Sequence, residues 1–237
     1  MKKAIIFISY FLNGTICLIL LNQSAFWPGF ISKALIIPLL MILFLTSFKS
    51  LKIRIHIFLF AGLVFSWAGD IVLELSAKNG NLFVIGLACF LFAHVMYILV
   101  FLLAPGENYI KKNRLYLLLP VAIYGIVLVS YLYSNLSEMR IPVILYTIVI
   151  LTMLTGAINR KEKVNLMSYT MVLAGAIFFV ISDSVIALNK FSNKFESSET
   201  IIMSTYIVAQ YLIVAGYIFQ FRENSLTRET DSLPNEN

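Results

Sequence analysis

Long apolar runs alternate along the chain with short polar segments. A helix needs about 20 mainly apolar residues to cross the hydrocarbon core of a bilayer, and eight runs approach or reach that length. They predict helices near residues 4–21, 33–47, 54–75, 82–103, 115–134, 140–158, 167–189 and 200–221. Pro38 would kink the second helix, whereas Pro120 and Pro142 fall in first turns, where a missing N–H matters little.

Composition supports an all-α integral membrane protein. The 237 residues are 60% hydrophobic and 13% charged, with a mean hydropathy of +0.89, which is more apolar surface than a soluble domain can enclose. Cys17 and Cys89 lie in apolar runs without metal-ligand spacing, so neither a disulfide nor a zinc site is expected. The net charge of +6 is divided among short clusters and does not form one basic patch, so we expect no nucleic-acid partner.

The basic residues predict the orientation of the helices in a cell membrane. Thirteen lysines and arginines fall on the side of the N-terminus, and five fall on the other side. The thirteen are Lys2, Lys3, Lys49, Lys52, Arg54, Lys111, Lys112, Arg114, Arg160, Lys161, Lys163, Arg222 and Arg228, and the five are Lys33, Lys78, Arg140, Lys190 and Lys194. Because basic loops stay in the cytoplasm, both termini are predicted to be cytoplasmic.

The two ends of the chain need separate interpretation. Lys2 and Lys3 precede an apolar run, as in a signal peptide, but residues 23–25 make a poor cleavage site, so we expect the first helix to be retained. After Arg222 the sequence is polar and lacks an apolar period. We therefore predict one transmembrane domain at 1–222 and a disordered cytoplasmic tail at 223–237.

An acidic residue, Asp70, interrupts the third apolar run. A charged side chain in hydrocarbon costs at least about 2.5 kcal/mol, so it usually faces a protein-lined cavity and has a function. Five residues around Asp70 are repeated 113 positions later: Gly62, Phe65, Gly69, Asp70 and Leu73 correspond to Gly175, Phe178, Ser182, Asp183 and Ile186. The pattern predicts two parallel four-helix repeats, with both aspartates at one depth, close enough to meet, as the catalytic pair.

Other polar side chains are expected near the outer end of the bundle. The candidates for substrate binding or support are Lys33, Ser66, His94, Tyr146, Ser182, Tyr206 and Gln210. Lys33 is expected at the head of helix 2, and Tyr146 and Tyr206 about 9 Å deep. Each type also has a structural role in membranes: lysine reaches the headgroups, tyrosine anchors at the interface and histidine links helices. Glu74 is more typical of a solvated helix end than of a catalyst.

Four short motifs resemble a known family. They are Gly69-Asp70 on helix 3, Phe90-x-x-x-His94-x-x-Tyr97 on helix 4, Ser182-Asp183 on helix 7 and Tyr206-x-x-Ala209-Gln210 on helix 8. In this order the set is similar to the YhhN-type membrane proteins, the lysoplasmalogenase family. Lys33 also fits, although the family often has proline after that lysine and this chain has Ala34.

The resemblance implies an enzyme that hydrolyses the vinyl ether bond of lysoplasmalogens, which are 1-alkenyl-glycerophosphoethanolamines or -cholines. The products would be a fatty aldehyde and a glycerophospho-alcohol. It further implies that Asp70 and Asp183 are essential and that neither a metal nor another cofactor is required. The expected partners are a lysophospholipid or other lipid substrate and the bilayer itself.

The chemistry of that bond agrees with a pair of acids. Protonation of the β-carbon gives an oxocarbenium ion, water captures it, and the resulting hemiacetal collapses to aldehyde and alcohol. Two close carboxylates in a low dielectric cannot both ionise cheaply, so one is expected to donate the proton and the other to stabilise the cation. Which aspartate takes which role stays open, and His94 is a candidate for relaying a proton.

Two other functions use the same features. An intramembrane aspartyl protease would use an acid pair, but residues 67–69 read Trp-Ala-Gly, so the Gly-x-Gly-Asp signature is missing. A proton- or lipid-coupled transporter would also have parallel repeats and buried acids. Conversion of substrate by the purified protein separates an enzyme from a transporter.

Overall fold

The structure is a computed structural model that describes residues 2–21, 26–48, 53–76, 79–80, 82–192 and 194–231, with the backbone alone at 2, 112 and 222–231. The helices are α1 (Lys2–Leu20), α2 (Phe26–Leu45), α3 (Arg54–Ser76), α4 (Leu82–Leu102), α5 (Leu119–Leu132), α6 (Arg140–Ile158), α7 (Leu166–Phe191) and α8 (Ser198–Asp231). Short 3₁₀ segments flank α5 at Lys112–Leu118, Tyr133–Asn135 and Ser137–Met139. In this part of the chain, eight helical segments are long and apolar enough to cross a membrane, which confirms the predicted number.

Three helices differ from their predicted bounds. α2 begins at Phe26, seven residues early, so Lys33 lies two turns inside the helix and not at its head. α5 begins at Leu119, and a 3₁₀ segment covers the start of its predicted range, because Pro120 fixes the first α-helical turn there. α8 continues to Asp231, so the backbone is helical over part of the predicted disordered tail, where no glycine or proline interrupts the chain. Residues 232–237 lie outside the described residues.

The bundle is built from closely packed neighbours in sequence. α3 packs along α4 and α7 along α8, while α4 also contacts α6 and α2 contacts α8. Gly175 makes the α7–α8 contact possible: a Cβ there would lie 2.9 Å from the carbonyl oxygen of Ala209 on α8. Small residues of this kind let membrane helices approach closely enough for van der Waals packing to hold them.

Large apolar side chains cover the outside of the bundle as well as its core. Ile126 and Ile141 are mostly exposed, whereas Leu63 and Ile213 are fully buried. A soluble protein rarely exposes so much continuous apolar surface, but a bilayer solvates it. The chain is a multi-pass membrane protein, and its buried polar side chains are therefore surrounded by protein and not by water.

Candidate active site

The side chain of Asp70 lies inside the bundle and is hydrogen-bonded to α8. It is buried, and the Tyr206 hydroxyl donates a 2.7 Å hydrogen bond to Oδ2. α3 brings Asp70 to this position because Gly69 beside it lies against the ring of Phe90 on α4, where any side chain would clash. A hydrogen bond to an ionised group is among the stronger ones in proteins, so Tyr206 helps to hold a negative charge on Asp70.

Asp183 on α7 has a second tyrosine and a histidine as neighbours. The Tyr146 hydroxyl of α6 donates a 2.5 Å hydrogen bond to Oδ2. His94 Nε2 of α4 lies 3.6 Å from the same oxygen, and neither ring nitrogen of His94 has a hydrogen-bond partner within the described residues. The imidazole is fully buried, so a small movement would let it exchange a proton with Asp183.

The two aspartates belong to neighbouring but separate clusters. Each carboxylate is hydrogen-bonded through Oδ2 to its own tyrosine, and the described hydrogen bonds include none between Asp70 and Asp183. The ring of Phe179 links the clusters, with its centroid 4.7 Å from that of His94 and 5.6 Å from that of Tyr206. The structure thus brings both aspartates into one aromatic-lined region, although the direct meeting expected from their depth is absent.

A third polar cluster lies one helical turn deeper than Asp70. The Tyr97 hydroxyl donates a 2.8 Å hydrogen bond to Gln210 Oε1, and Gln210 Nε2 donates a 3.0 Å bond to the Ser66 hydroxyl. All three side chains are fully buried. They satisfy one another's polar groups and join α3, α4 and α8, so they fix the positions of the helices that carry Asp70, His94 and Tyr206.

Lys33 forms an ion pair with Glu74. Its Nζ lies 2.9 Å from Glu74 Oε2, and 17% and 26% of the two side chains are exposed. Glu74 is therefore not the solvated helix end favoured from its position in the sequence. It follows Asp70 by one helical turn on α3, so the ion pair covers the side of the Asp70 cluster toward the C-terminal end of α3.

Ser182, another predicted site residue, contacts neither of the aspartate clusters directly. Its hydroxyl donates a 3.0 Å hydrogen bond to the carbonyl oxygen of Ile202 on α8. That carbonyl lies one turn before Tyr206, so Ser182 ties α7 to the part of α8 that carries the partner of Asp70. Its role in the structure is to position helices.

A narrow cavity reaches Asp183 but not Asp70. Its volume is about 50 Å³, and apolar side chains from α3 to α7 make up most of its wall. Asp183, Tyr146, Thr147, Tyr124 and Ser184 are the polar residues that line it. This volume holds a few water molecules, so the space beside Asp183 can contain the water that a hydrolysis requires.

The sequence did not indicate two of these polar contacts. Tyr97 was visible only as part of a motif, and its hydrogen bond to Gln210 joins residues far apart in the chain. The Tyr124 hydroxyl donates a 2.6 Å hydrogen bond to the Ser184 hydroxyl between α5 and α7. Ser184 directly follows Asp183, which was the one signal available in the sequence.

No group of three or more histidine, cysteine or acidic side chains is arranged to hold a metal ion in the portion of the chain that the structure describes. The donors at the site are carboxylates, phenols, an amide and an imidazole, which are suited to proton transfer. The fold and the site together define a multi-pass membrane protein with two tyrosine-bound aspartates buried between its helices.

Comparison with known proteins places this arrangement in a family. The sequence model of the YhhN family matches residues 29–217, and the chain belongs to that family. It is 32% identical over 168 residues to human "Lysoplasmalogenase TMEM86A" and 30% identical over 168 residues to human "Lysoplasmalogenase TMEM86B". These matches cover 68% and 64% of this chain, and they span 65% and 59% of the two relatives. No solved structure matches the chain.

Proposed function

We propose that the protein is a membrane hydrolase that cleaves the vinyl ether bond of lysoplasmalogens to a fatty aldehyde and a glycerophospho-alcohol. The observation that carries the proposal is the pair of buried aspartates, each hydrogen-bonded to a tyrosine, around one aromatic-lined region. The names of the two human relatives support the same activity. The ethanolamine and choline forms are the proposed substrates.

Asp183 is proposed as the group that protonates the β-carbon of the vinyl ether, because it lines the cavity and Asp70 does not. The proton leaves the carboxyl oxygen, the π electrons of the vinyl group form the new C–H bond, and the ether oxygen donates electrons to give an oxocarbenium ion. His94, close to the same carboxyl oxygen, can return a proton to Asp183 after each turnover.

Asp70 is proposed as the ionised partner. Tyr206 donates a hydrogen bond to its Oδ2, and the negative charge lowers the energy of the nearby oxocarbenium ion. Water adds to the cationic carbon and gives a proton to the Asp183 carboxylate, directly or through His94, which yields a hemiacetal and restores the acid. Breakage of the bond to the glycerol oxygen, with proton transfer to that oxygen, then releases aldehyde and alcohol.

Lys33 is proposed to bind the phosphate of the headgroup, with Glu74 holding it in place. The ion pair lies on the side of Asp70 toward the C-terminal end of α3 and is partly exposed, whereas the cavity continues on the apolar side of Asp183. A lysolipid has the same order of groups, since its charged headgroup, vinyl ether and alkyl chain follow one another.

We further propose that the helices form two parallel repeats, and two contacts support this. Tyr97 and Gln210, 113 residues apart, hydrogen-bond each other, as equivalent residues do near a twofold axis. Lys33 and Tyr146 have the same separation, and each binds an acidic residue of its own half, Glu74 and Asp183 respectively. With cytoplasmic termini, as the basic loops predict, the site would open toward the outer leaflet.

The decisive experiment measures turnover by purified Asp70→Asn and Asp183→Asn proteins. Each substitution should abolish hydrolysis while the fold is retained, because asparagine keeps the size of the side chain but neither donates the proton nor carries the charge. The double variant should be little worse than either single one, since the residues act as a unit. Glu74→Gln should lose far less activity than either, because it weakens the support of Lys33 but leaves both aspartates in place. Near-normal turnover by folded Asp70→Asn would exclude the two-carboxylate mechanism.

The substrate itself supplies a second test. A lysolipid with a saturated ether should resist hydrolysis because it has no β-carbon that can be protonated. Water labelled with heavy oxygen should place its label in the aldehyde, with correction for later exchange, and leave the glycerol oxygen unlabelled. If wild-type protein instead moved the lipid across vesicle membranes without converting it, the function would be transport.

A further inference from the structure

α5 closes one side of the cavity with two hydroxyl contacts to α7. The Tyr124 hydroxyl donates a 2.6 Å hydrogen bond to Ser184 Oγ, and the hydroxyls of Tyr131 and Ser192 lie 3.2 Å apart. We call these four residues the α5–α7 seam. The rest of α5 packs mainly on α6 and exposes large apolar side chains to the membrane, so few contacts hold α5 to α7.

The cavity has a neighbouring groove on the membrane side of the seam. Tyr124, Leu151 and Val180 line both the cavity and this groove, and the groove continues along Val121, Leu154 and Ile177. The three side chains that line both therefore lie between the two spaces and form a shared layer. Asp183 lies on the cavity side of this layer, and the apolar groove lies on its membrane side.

The cavity is narrow beside Asp183. The part of it that admits water has a volume of about 50 Å³, which accommodates a few water molecules. The groove is lined almost entirely by apolar side chains, and the cavity wall is mainly apolar, with Asp183 as its acidic group. An alkyl chain that enters the cavity from the groove therefore has to displace the shared side chains.

We propose that α5 is a lateral gate, through which a single alkyl chain passes from the bilayer between α5 and α7 into the cavity beside Asp183. The inference rests on the proposed function for the chemistry at Asp183, and it adds the path and the binding site of the chain. Ser184 also donates a 2.6 Å hydrogen bond to the carbonyl oxygen of Val180, so it keeps a partner when Tyr124 moves away. The seam can thus open without leaving the buried Ser184 hydroxyl on α7 without a hydrogen bond.

The test locks the seam reversibly. Cysteines replace Tyr131 and Ser192 in a Cys17→Ala, Cys89→Ala background, and a short bis-thiosulfonate reagent joins them. The matched control joins cysteines at Ile126 and Ile148, which line the groove between α5 and α6 and leave the α5–α7 seam free. The probe is a 1-alkenyl lysophosphatidylcholine with a diazirine in its alkyl chain, and labelled peptides are identified by mass spectrometry.

Photolabelling should reach α4 to α7 residues of the cavity, such as Leu87 and Leu128, in the unlocked and control proteins. It should fall at least tenfold when the seam is locked and recover after reduction. The Tyr124→Phe protein, which lacks the hydroxyl but keeps the ring, should be labelled faster than wild type. The Tyr116→Phe protein, changed in the 3₁₀ segment that precedes α5, should be labelled at the wild-type rate.

Equal labelling of the locked and unlocked proteins, or labelling confined to residues outside the cavity, would overturn the gate. The outcome is distinct from failure of the proposed function. If labelling depends on the seam but the protein leaves the vinyl ether intact, the gate is supported and the hydrolase is excluded. If the protein hydrolyses the vinyl ether equally well with the seam locked, the hydrolase is supported and the gate is excluded.

Discussion

At the scale of single residues, the site depends on the side chains that donate hydrogen bonds to the aspartates. Tyr146 and Tyr206 each donate a hydrogen bond to one carboxylate, and their phenol rings pack against Phe179 or His94. Both tyrosines were predicted from sequence as supporting residues, and both hydroxyls are hydrogen-bonded to carboxylates, with Tyr206 buried and Tyr146 half-buried. Their pairing with different aspartates divides the site into two halves.

Tyr146→Phe should lower kcat/KM for the vinyl ether substrate by roughly 10- to 100-fold, since Asp183 becomes a carboxylate as it donates its proton and a hydrogen bond to a charged group contributes about 1.5 to 3 kcal/mol. The ring is retained, so the packing around His94 should not change. Steady-state kinetics of the purified protein measures the effect. Thr147→Val, which removes a hydroxyl from the same cavity without touching a carboxylate, is the control for a general loss of polarity. A Tyr146→Phe enzyme as fast as wild type would show that this hydrogen bond has no part in turnover.

The Lys33–Glu74 ion pair makes a prediction about stability. Because both side chains are largely buried, Lys33→Met and Glu74→Gln should each lower the thermal unfolding temperature, and the double variant should be less destabilised than the sum of the two. A coupling free energy of about 1 kcal/mol is expected for residues in direct contact. Additive losses in a double-mutant cycle, measured in one detergent, would mean that the pair contributes no coupling.

At the scale of helices, close packing through glycine decides where the site residues stand. A Cβ at Gly175 would meet the backbone of α8 at Ala209 and Ile213, which cannot move aside easily. A Cβ at Gly125 would instead meet the end of the Leu151 side chain, which can adopt another rotamer. The same substitution therefore has different consequences on α7 and α5.

Gly175→Ala should destabilise the protein by about 1 to 3 kcal/mol, the usual effect of overpacking, and should also reduce activity because α8 carries Tyr206. Gly125→Ala should change stability by less than about 1 kcal/mol, since the gain in helix propensity offsets a rotamer change. Thermal unfolding in detergent distinguishes the two. Equal unfolding temperatures for both variants would contradict the backbone contact at Gly175.

At the scale of the whole molecule, the distribution of basic residues predicts how the bundle lies in the membrane. Lys194 and Glu107 are exposed in loops at opposite ends of the helices. In a background without Cys17 and Cys89, Lys194→Cys should react with an impermeant maleimide added to intact cells, and Glu107→Cys should react only after the membrane is permeabilised. The opposite pattern would place both termini outside the cell and the aspartates near the inner leaflet.

The sequence by itself determined the class of the protein, the number of its spans and several of its buried polar residues. Apolar runs of membrane length leave few alternatives to helices, because the backbone must satisfy its hydrogen bonds internally in hydrocarbon. An acid in such a run is costly enough to be recognised without a structure. Asp70 and Asp183 could therefore be found from local pattern, and so could the tyrosines and glutamine at similar depth.

Only the tertiary structure decided which of these residues contact one another. Depth along a helix gives no rotation about its axis and no information on which neighbours intervene, so the separation of the aspartates by an aromatic layer could not be predicted. The ion pair between Lys33 and Glu74 could not be predicted either, because α2 begins seven residues earlier than its apolar run indicated. The Tyr124–Ser184 contact depends on how α5 leans against α7, and that angle results from side-chain packing along the whole length of both helices.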